Sequence, residues 1–371
     1  MSAAPTTASI TDSLKELAST LAPSKQVKPE LDPASWSSEA SSYASDNTSE
    51  YAYNDSSSSS DDEMPPVSTV KGLVNNSIAL RESHNNPDSP YCLPADSKEK
   101  LRLDKQHNFI RDHICNGRLV LDETLSLEKG ALVLDLGTGS GAWASDLARF
   151  LPAGVEIQGF DISNRLFPPN APNMTFAIGN VLDLPDHLDS RVTLAHQRLL
   201  IYALRRHEWS RALASIRNTL IPGQGVVQLT EVLTPAGNPG AAQEEFQALL
   251  SSIGRKRQLL LDCGELLPVL LSEAGFVDIE KRTVKVRLGG AGGVKGIKAA
   301  ACRSGAFRGM RDSVLSDGGY GIVNSADEFD KLVDRVVTEW DINECYAFYY
   351  TITARRPALG LTPPPSSVTM S

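Results

Sequence analysis

The sequence lacks the hydrophobic segments that membrane and secreted proteins carry. No run of about 18 apolar residues occurs, so no membrane-spanning helix is predicted. The first residues, MSAAPTTASITDSLKE, contain no apolar block behind a basic end, so we expect no secretory signal. These absences favour a cytoplasmic protein. A nuclear location is the alternative, although the short basic run from Arg255 to Arg257 fits a helix face better than an import signal.

Cysteine is sparse, and the chain has no excess of basic residues. The five cysteines are dispersed, with no CxxC pair and no clustered histidines. Neither a disulfide framework nor a metal site is therefore predicted. The formal net charge is −9. Because phosphate groups bind to basic surfaces, we do not expect nucleic acid to be a primary partner.

Composition divides the 371 residues into four segments. Of the 28 residues from Pro33 to Ser60, 12 are serine, and residues 1–85 carry a formal charge of −7. So little apolar surface predicts a disordered Ser- and acid-rich tail over 1–85, which is a candidate site for a protein partner. We expect a helical cap over 86–130, a globular domain over 131–356 and a second disordered tail over 357–371.

A glycine-rich stretch follows the predicted cap, with the sequence ALVLDLGTGSGA over residues 131–142. Its apolar start predicts a buried strand, and Gly137, Gly139 and Gly141 predict a tight turn into a helix. α/β proteins bind adenosine-containing cofactors at such a turn. Asp161 ends the next predicted strand, where a carboxylate accepts hydrogen bonds from both ribose hydroxyls.

Two classes of cofactor fit this pattern. Gly137, Gly139 and Ala142 match a loose dinucleotide fingerprint, in which the turn seats a pyrophosphate. Asp135 lies two residues before the first glycine, where it disfavours a bound anion and suits a ligand with an amino group. The sequence therefore favours a cationic cofactor over a nicotinamide dinucleotide, whereas Asp161 is compatible with both.

Strands and helices alternate after the glycine-rich stretch. Predicted strands cover 131–134, 155–160, 175–178, 192–196, 225–231, 277–286 and 344–353, and predicted helices cover 206–220, 241–257, 263–274, 295–314 and 326–340. This alternation predicts an α/β fold with a seven-stranded, mostly parallel sheet and helices on both faces. We expect the last strand to be antiparallel and the ligand to bind at the carboxyl ends of the parallel strands.

Three motifs together resemble the fungal LaeA-like methyltransferases of class I. They are the pattern YxLPxDxxExxRLDxQH from Tyr91, the sequence LDLGTGSGAW around the glycines, and FDIS followed by LFPPNAPNMTFAIGN. The likeness covers about residues 91–231. It implies a Rossmann-like class I methyltransferase fold with S-adenosylmethionine as cofactor. Members of the family either methylate small molecules of secondary metabolism or act as nuclear regulators of it.

The resemblance implies a cofactor site around the glycine turn. Asp135 is expected at the amino group of S-adenosylmethionine and Asp161 at its ribose. Asp183 is assigned to the adenine amino group, with Val181 and Leu182 on either side of the ring; a turn or capping role is the alternative for Asp183. The predicted cofactor-binding residues are Asp135, Gly137, Thr138, Gly139, Gly141, Asp161, Ile162, Val181, Leu182, Asp183, Tyr91, Arg102 and Gln106.

Polar residues of the predicted cap complete this set. Arg102 and Gln106 are four residues apart, so they share one face of a helix. We assign them to the carboxylate of the cofactor, with Tyr91 closing over the cleft. An exposed helix face that carries an ion pair is the alternative.

Methyl transfer needs a general base only where the acceptor must lose a proton. His196 is the candidate base, because it ends the fourth predicted strand and histidine titrates near neutral pH. A hydrogen bond to the backbone is the alternative role for His196. Gln197, Arg198 and Tyr202 are assigned to the substrate pocket, with a place in the core as the alternative for Tyr202.

Three functions are compared. The first is methyl transfer from S-adenosylmethionine to an oxygen, or a nitrogen, of a small-molecule secondary metabolite. The second is a LaeA-like nuclear regulator that binds the cofactor and acts through protein partners. The third, a nicotinamide-dependent oxidoreductase, is disfavoured by Asp135. The absence of a clear import signal favours the enzyme over the regulator.

Overall fold

The computed structural model describes residues 81–84, 86, 88–233, 236–360 and 369–370. The two predicted disordered tails, 1–85 and 357–371, lie largely outside these residues. No helix in the described ranges has the length and apolar character needed to cross a membrane.

A single mixed sheet runs through the described part of the chain. Its strand order is β3-β2-β1-β4-β5-β8-β7-β9, and β6 pairs with β8. Strands β1 to β5 are parallel along this order, whereas β8 is antiparallel to both β5 and β7. The strands are β1 (Leu132–Leu136), β2 (Glu156–Asp161), β3 (Met174–Ile178), β4 (Leu194–Arg198), β5 (Val226–Val232), β6 (Ala236–Gly237), β7 (Val277–Arg287), β8 (Cys345–Arg355) and β9 (Thr369–Met370).

This topology confirms the predicted class I fold. The seven strands expected from the sequence are all present, and β8 is the antiparallel one. Two short strands, β6 and β9, are not predicted by the sequence, because two residues are too few for a periodic pattern.

Eight α-helices flank the sheet in the described ranges. They are α1 (Ser97–Phe109), α2 (Ala142–Ala148), α3 (Glu208–Thr219), α4 (Ala241–Arg257), α5 (Cys263–Glu273), α6 (Gly293–Gly309), α7 (Arg311–Ser316) and α8 (Ala326–Ile342). The single helix predicted over 295–314 is therefore wrong, since α6 and α7 divide there. Gly309 lies at the division, where an added Cβ would come within 3.0 Å of Leu93 Cδ2.

Helix α1 begins directly after Asp96. The side chain of Asp96 caps it by accepting a hydrogen bond from the backbone N–H of Glu99 at 2.8 Å. Its carboxyl end continues into a π-helical turn, Ile110–Ile114. Helix α1 packs against α6 and α2, so it joins the segment before the sheet to a helix from the far end of the chain.

Apolar side chains fill both faces of the sheet. Along β1, Leu134 and Leu136 belong to the larger core cluster, which also contains Trp209. Val133, the residue before Leu134, belongs to the smaller cluster with Trp143. Because successive side chains of a strand point to opposite faces, this alternation shows that β1 is covered on both sides.

Candidate functional site

A cavity of about 270 Å³ opens at the carboxyl ends of β1, β2 and β4, beneath α1 and α6. Twelve of the predicted site residues line it: Tyr91, Arg102, Gln106, Gly137, Thr138, Gly139, Asp161, Ile162, Val181, Leu182, Arg198 and Tyr202. Five do not line it: Asp135, Gly141, Asp183, His196 and Gln197. The cavity therefore brings together the glycine turn, the end of β2 and the predicted cap residues.

The turn after β1 depends on the small size of its glycines. Gly139 has a φ of +55°, and Gly141 has a φ of +69°. A Cβ on Gly141 would lie 2.7 Å from Pro168 Cγ and 3.0 Å from a ring carbon of Phe176. Glycine is required here both for the left-handed backbone and for the close packing of the turn against β3.

Asp161 joins this turn to the end of β2. One carboxylate oxygen accepts a hydrogen bond from the backbone N–H of Gly139 at 2.8 Å, and the other accepts from Ser163 N–H at 3.2 Å. Burial raises the pKa of the Asp161 carboxyl, although these N–H groups act against it. Each oxygen keeps a further lone pair, so the carboxylate can accept hydrogen bonds from a ligand's hydroxyls.

Asp135 lies below the cavity and pairs with two neighbours instead of facing a ligand. His196 Nδ1 lies 2.9 Å from Asp135 Oδ1, and Thr138 Oγ1 donates to Oδ2 at 2.6 Å. Burial alone raises the pKa of Asp135, but the hydrogen bonds from His196 and Thr138 outweigh burial and lower it. The carboxylate is therefore ionised, and its charge is satisfied within the protein.

His196, the predicted base, is held beneath the cavity. Its side chain is only 2% exposed, and its ring stacks on Trp143 with centroids 3.8 Å apart. Burial lowers the pKa of His196, so the ring is neutral at neutral pH and Nδ1 carries the proton donated to Asp135. This placement gives His196 a packing and hydrogen-bonding role, and it does not bring the ring to the cavity wall.

Arg198 reaches the cavity at the end of β4 and is held by α1. Its Nη1 donates to His107 Nδ1 at 3.0 Å, and His107 Nε2 lies 3.0 Å from Asp146 Oδ2. Because Arg198 has no acceptor, His107 must accept at Nδ1 and donate from Nε2. Burial and the nearby Arg198 charge lower the pKa of His107 to about 4, which keeps it neutral.

The cap contributes a paired guanidinium. Arg102 Nη2 donates to Glu99 Oε1 at 2.6 Å, and Arg102 Nε lies 3.0 Å from both carboxylate oxygens of Glu99. Among the described residues, Arg102 Nη1 has no hydrogen-bond partner. Gln106 lines the same side of the cavity. Arg102 therefore forms an ion pair, as in the alternative prediction, and also lines the cavity, as in the main prediction.

Residues of the loop after β3 point in different directions, some into the cavity and one to solvent. Val181 and Leu182 line the cavity together with Asn180. The side chain of Asp183 is 85% exposed and lies 4.0 Å from Arg211 Nη2, outside the cavity. Spacing along the sequence locates this loop, but the direction of each side chain depends on the turn that Asn180 and Asp183 form.

Comparisons with known proteins find similar fungal proteins. The N-methyltransferase gliN of Aspergillus fumigatus is 27% identical over 212 residues, which cover 55% of this chain and 74% of gliN. The secondary metabolism regulator LAE1 of Cochliobolus heterostrophus is 25% identical over 208 residues, covering 53% of this chain and 65% of LAE1. The chain is therefore similar to fungal methyltransferases of secondary metabolism.

Two further findings accompany this assignment. No protein-family model matches the chain. The solved structure of Haemonchus contortus phosphoethanolamine N-methyltransferase 2 with S-adenosyl-L-methionine superposes with a TM-score of 0.40 at 17% identity, covering 62% of this chain and half of the nematode chain (50%).

The residues of the methyltransferase cavity fit an adenosine-containing cofactor. The glycine turn leaves a narrow space beside Leu103, because Gly139 has no side chain. A Cβ on Gly139 would lie 3.2 Å from Leu103 Cδ1 and would fill that space. The half-buried carboxylate of Asp161 and the apolar side chains of Ile162 and Val181 lie along one side. The carboxylate can accept hydrogen bonds from ribose hydroxyls, and the apolar side chains can pack against the flat adenine ring.

The methyltransferase cavity also contains residues that the sequence analysis misses. Arg303 of α6 and Tyr349 of β8 line it beside Tyr202 and Phe307. No motif marks them, because they lie more than 100 residues beyond Tyr202 and reach the cavity only through tertiary packing. The sequence assigns Gln197 to the substrate pocket, but its side chain is buried and does not line the cavity. Its Oε1 has no hydrogen-bond partner among the described residues.

Proposed function

We propose that this methyltransferase transfers a methyl group from S-adenosylmethionine to a nitrogen or oxygen of a small-molecule secondary metabolite. The observation that carries the proposal is the shape of the cavity, which extends from the glycine turn to the aromatic residues of α6 and β8. S-adenosylmethionine supplies a methyl group on a positively charged sulfur. Holding donor and acceptor in line can lower the barrier by roughly 7–11 kcal/mol.

The cofactor would occupy the end of the cavity formed by β1, β2 and β3. In this proposal Asp161 accepts the ribose hydroxyls, and Ile162, Val181 and Leu182 surround the adenine. The carboxylate of the methionine part is assigned to the cationic side chains at the same end, Arg102 and Arg198. Both line the cavity, and β4, which carries Arg198, pairs directly with β1.

We propose that the reaction uses no general base from His196. The ring is buried beneath the cavity, and its Nδ1 proton is committed to Asp135. An acceptor nitrogen or oxygen can lose its proton to water after transfer, so the protein's contribution is orientation. Of the candidate acceptor atoms, nitrogen is favoured, because four matched relatives are named N-methyltransferases.

A regulatory role is the second candidate, and the likeness to LAE1 supports it. In that case the acidic tail 1–85 would recruit a protein partner in the nucleus, whereas the enzyme proposal places the activity in the cytoplasm. The two functions differ in where the methyl group goes. An enzyme of secondary metabolism methylates small molecules, and a regulator gives no methylated small molecule.

The test is methyl transfer from S-adenosylmethionine labelled in its methyl group. The purified full chain is incubated with extracts of fungal cells that make secondary metabolites, and small molecules are then separated from proteins. We expect label in the small-molecule fraction, and an Asp161→Asn variant should abolish most of it. Label in neither fraction, or in the protein fraction alone, contradicts the proposal.

A further inference from the structure

Arg303 of α6 is a buried cation on the cavity wall. Its side chain is 6% exposed, and it lines the cavity. It forms no ion pair with any residue that the structure describes, and its Nε has no hydrogen-bond partner there. An aromatic ring lies beside it: the guanidinium carbon is 5.6 Å from the ring centre of Phe307.

Two other arginines of the cavity differ from Arg303 in this respect. Arg102 is bound to Glu99, and Arg205 donates to Glu208 Oε1 at 2.9 Å. Their positive charges are neutralised within the protein. A buried charge without an opposite charge beside it is costly. A buried guanidinium that hydrogen-bonds Tyr349 but has no carboxylate partner among the described residues therefore suits an anionic ligand.

Two phenols stand beside this guanidinium. Burial raises the pKa of Tyr202 and of Tyr349 to about 12, and the charge of Arg303 acts against that rise in both. Both phenols therefore keep their protons at neutral pH and can donate hydrogen bonds. The guanidinium carries one positive charge, and the two phenols can each donate a hydrogen bond beside it, which suits a singly charged oxyanion.

Strand pairing places this group away from the cofactor end. Tyr349 pairs with Val232, at the carboxyl end of β5, and β8 lies three strands from β1. Three strand spacings amount to about 14 Å across the sheet. Arg198, by contrast, lies on the strand next to β1. Arg303 therefore faces the region left for the acceptor rather than the region of the glycine turn.

We propose that the methyl acceptor carries a carboxylate next to an aromatic or conjugated ring, and that Arg303 with Tyr202 and Tyr349 binds this carboxylate. This inference rests on the proposed function, since it assigns the acceptor end of the same cavity. A carboxylate fits better than a phosphate, because a single unpaired guanidinium balances one negative charge. The ring packs along Phe307, and the nitrogen or oxygen to be methylated points toward the cofactor.

The test compares two probes of equal shape, benzoate and benzamide, on the full chain with S-adenosylhomocysteine bound. Calorimetry or ligand-observed NMR should detect benzoate binding at least tenfold tighter than benzamide binding. Arg303→Met should remove the difference between the two probes, and Arg303→Lys should keep part of it. The inference is overturned if the unmodified chain binds both probes with equal affinity. It is also overturned if Arg303→Met binds benzoate as tightly as the unmodified chain does.

Two controls keep the outcome interpretable. Each variant should bind S-adenosylhomocysteine as the unmodified chain does, which shows that it is folded. If Arg303→Met does not fold, Tyr349→Phe replaces it, and benzoate binding should fall several-fold; no change overturns the inference. Failure of every form to bind S-adenosylhomocysteine contradicts the proposed function instead, and the benzoate–benzamide difference is then measured on the unloaded chain.

Discussion

At the scale of single residues, the charged groups beneath the cavity are paired, whereas two arginines on its wall are not. Asp135 is bound by His196 and Thr138, and Asp146 holds His107. Among the described residues, Arg198 and Arg303 form no ion pair. The Asp135–His196 pair links β1 to β4, and the Asp146–His107 pair links two helices. We propose that the two arginines contact ligands.

Replacing His196 separates its structural role from a catalytic one. His196→Ala removes the hydrogen bond to Asp135 and the stack on Trp143, leaving a buried carboxylate without its main partner. We expect the free energy of unfolding in urea to fall by about 3–5 kcal/mol. Methyl transfer per folded molecule should persist, in contrast to the roughly 10²–10⁴-fold loss that follows removal of a general base.

A matched control for this variant is His187→Ala, at an exposed position of the loop before β4. Its unfolding free energy should change by no more than about 0.5 kcal/mol. A fully stable His196→Ala protein that has lost its turnover would contradict the structural role and restore the role of base.

Glu231 makes stability depend on pH. It is buried at the end of β5, where its Oε1 accepts a hydrogen bond from Leu200 N–H at 2.8 Å, and burial raises its pKa from 4.5 to about 8. The folded chain therefore holds a proton that the unfolded chain releases between these values. Its contribution to stability falls as pH rises from about 4.5 to 8, by at most about 1.4 kcal/mol per pH unit.

Glu231→Gln tests this dependence, because glutamine keeps an acceptor for Leu200 and cannot ionise. Urea unfolding at several pH values should show the variant gaining stability relative to the unmodified chain from pH 5 to pH 8. Parallel pH curves for the two proteins would show that Glu231 ionises normally in the folded state.

At the scale of elements, the turn after β1 and helix α1 form the two sides of the cofactor end. Gly139→Ala places a methyl group 3.2 Å from Leu103 of α1, at a φ of +55°. The left-handed backbone costs about 1–2 kcal/mol for alanine. Because the added methyl also enters the space between turn and helix, we expect S-adenosylmethionine affinity to fall as well, measured by calorimetry.

Gly117→Ala is the matched control for the turn. Gly117 also has a positive φ, +80°, but no atom lies within 4 Å of its added Cβ. The Gly117→Ala variant should lose about as much unfolding free energy as Gly139→Ala and should keep its affinity for S-adenosylmethionine. If both variants bind S-adenosylmethionine equally well, the turn does not contact the cofactor.

The sequence predicts the elements well and the directions of side chains less well. Strand and helix periodicity locates the seven main strands, and the glycines locate the turn. Spacing alone places Asp183 in the loop after the third strand and His196 at the end of the fourth, yet Asp183 points to solvent and His196 lies beneath the cavity. The division between α6 and α7 depends on the close approach of Leu93 to Gly309, a tertiary contact that local sequence does not encode.

At the scale of the whole molecule, the cavity draws on elements from both ends of the described chain. Tyr91 and Arg102 precede the sheet, and Arg303 and Tyr349 come from its last third. Sequence motifs in the glycine-rich half therefore lead to the residues around the turn and to Tyr202, but not to Arg303 and Tyr349.

The tail is expected to be dispensable for folding. We predict that deleting residues 1–80 leaves thermal stability and S-adenosylmethionine affinity unchanged, because the residues named around the cavity all lie beyond position 80. Circular dichroism and calorimetry on the shortened chain measure both quantities. An insoluble product, or one that no longer binds the cofactor, would show that the tail supports the domain.

The central claim is that the glycine turn and Asp161 bind S-adenosylmethionine. Calorimetric titration of the purified full chain with S-adenosylmethionine and with NADH tests it most directly. The account predicts saturable binding of S-adenosylmethionine alone, weakened at least about tenfold by Asp161→Asn, since hydrogen bonds to a charged group contribute about 1.5–3 kcal/mol. Asp183→Asn, at an exposed position, should bind like the unmodified chain. Binding of NADH without binding of S-adenosylmethionine, or undiminished affinity in Asp161→Asn, would contradict the account.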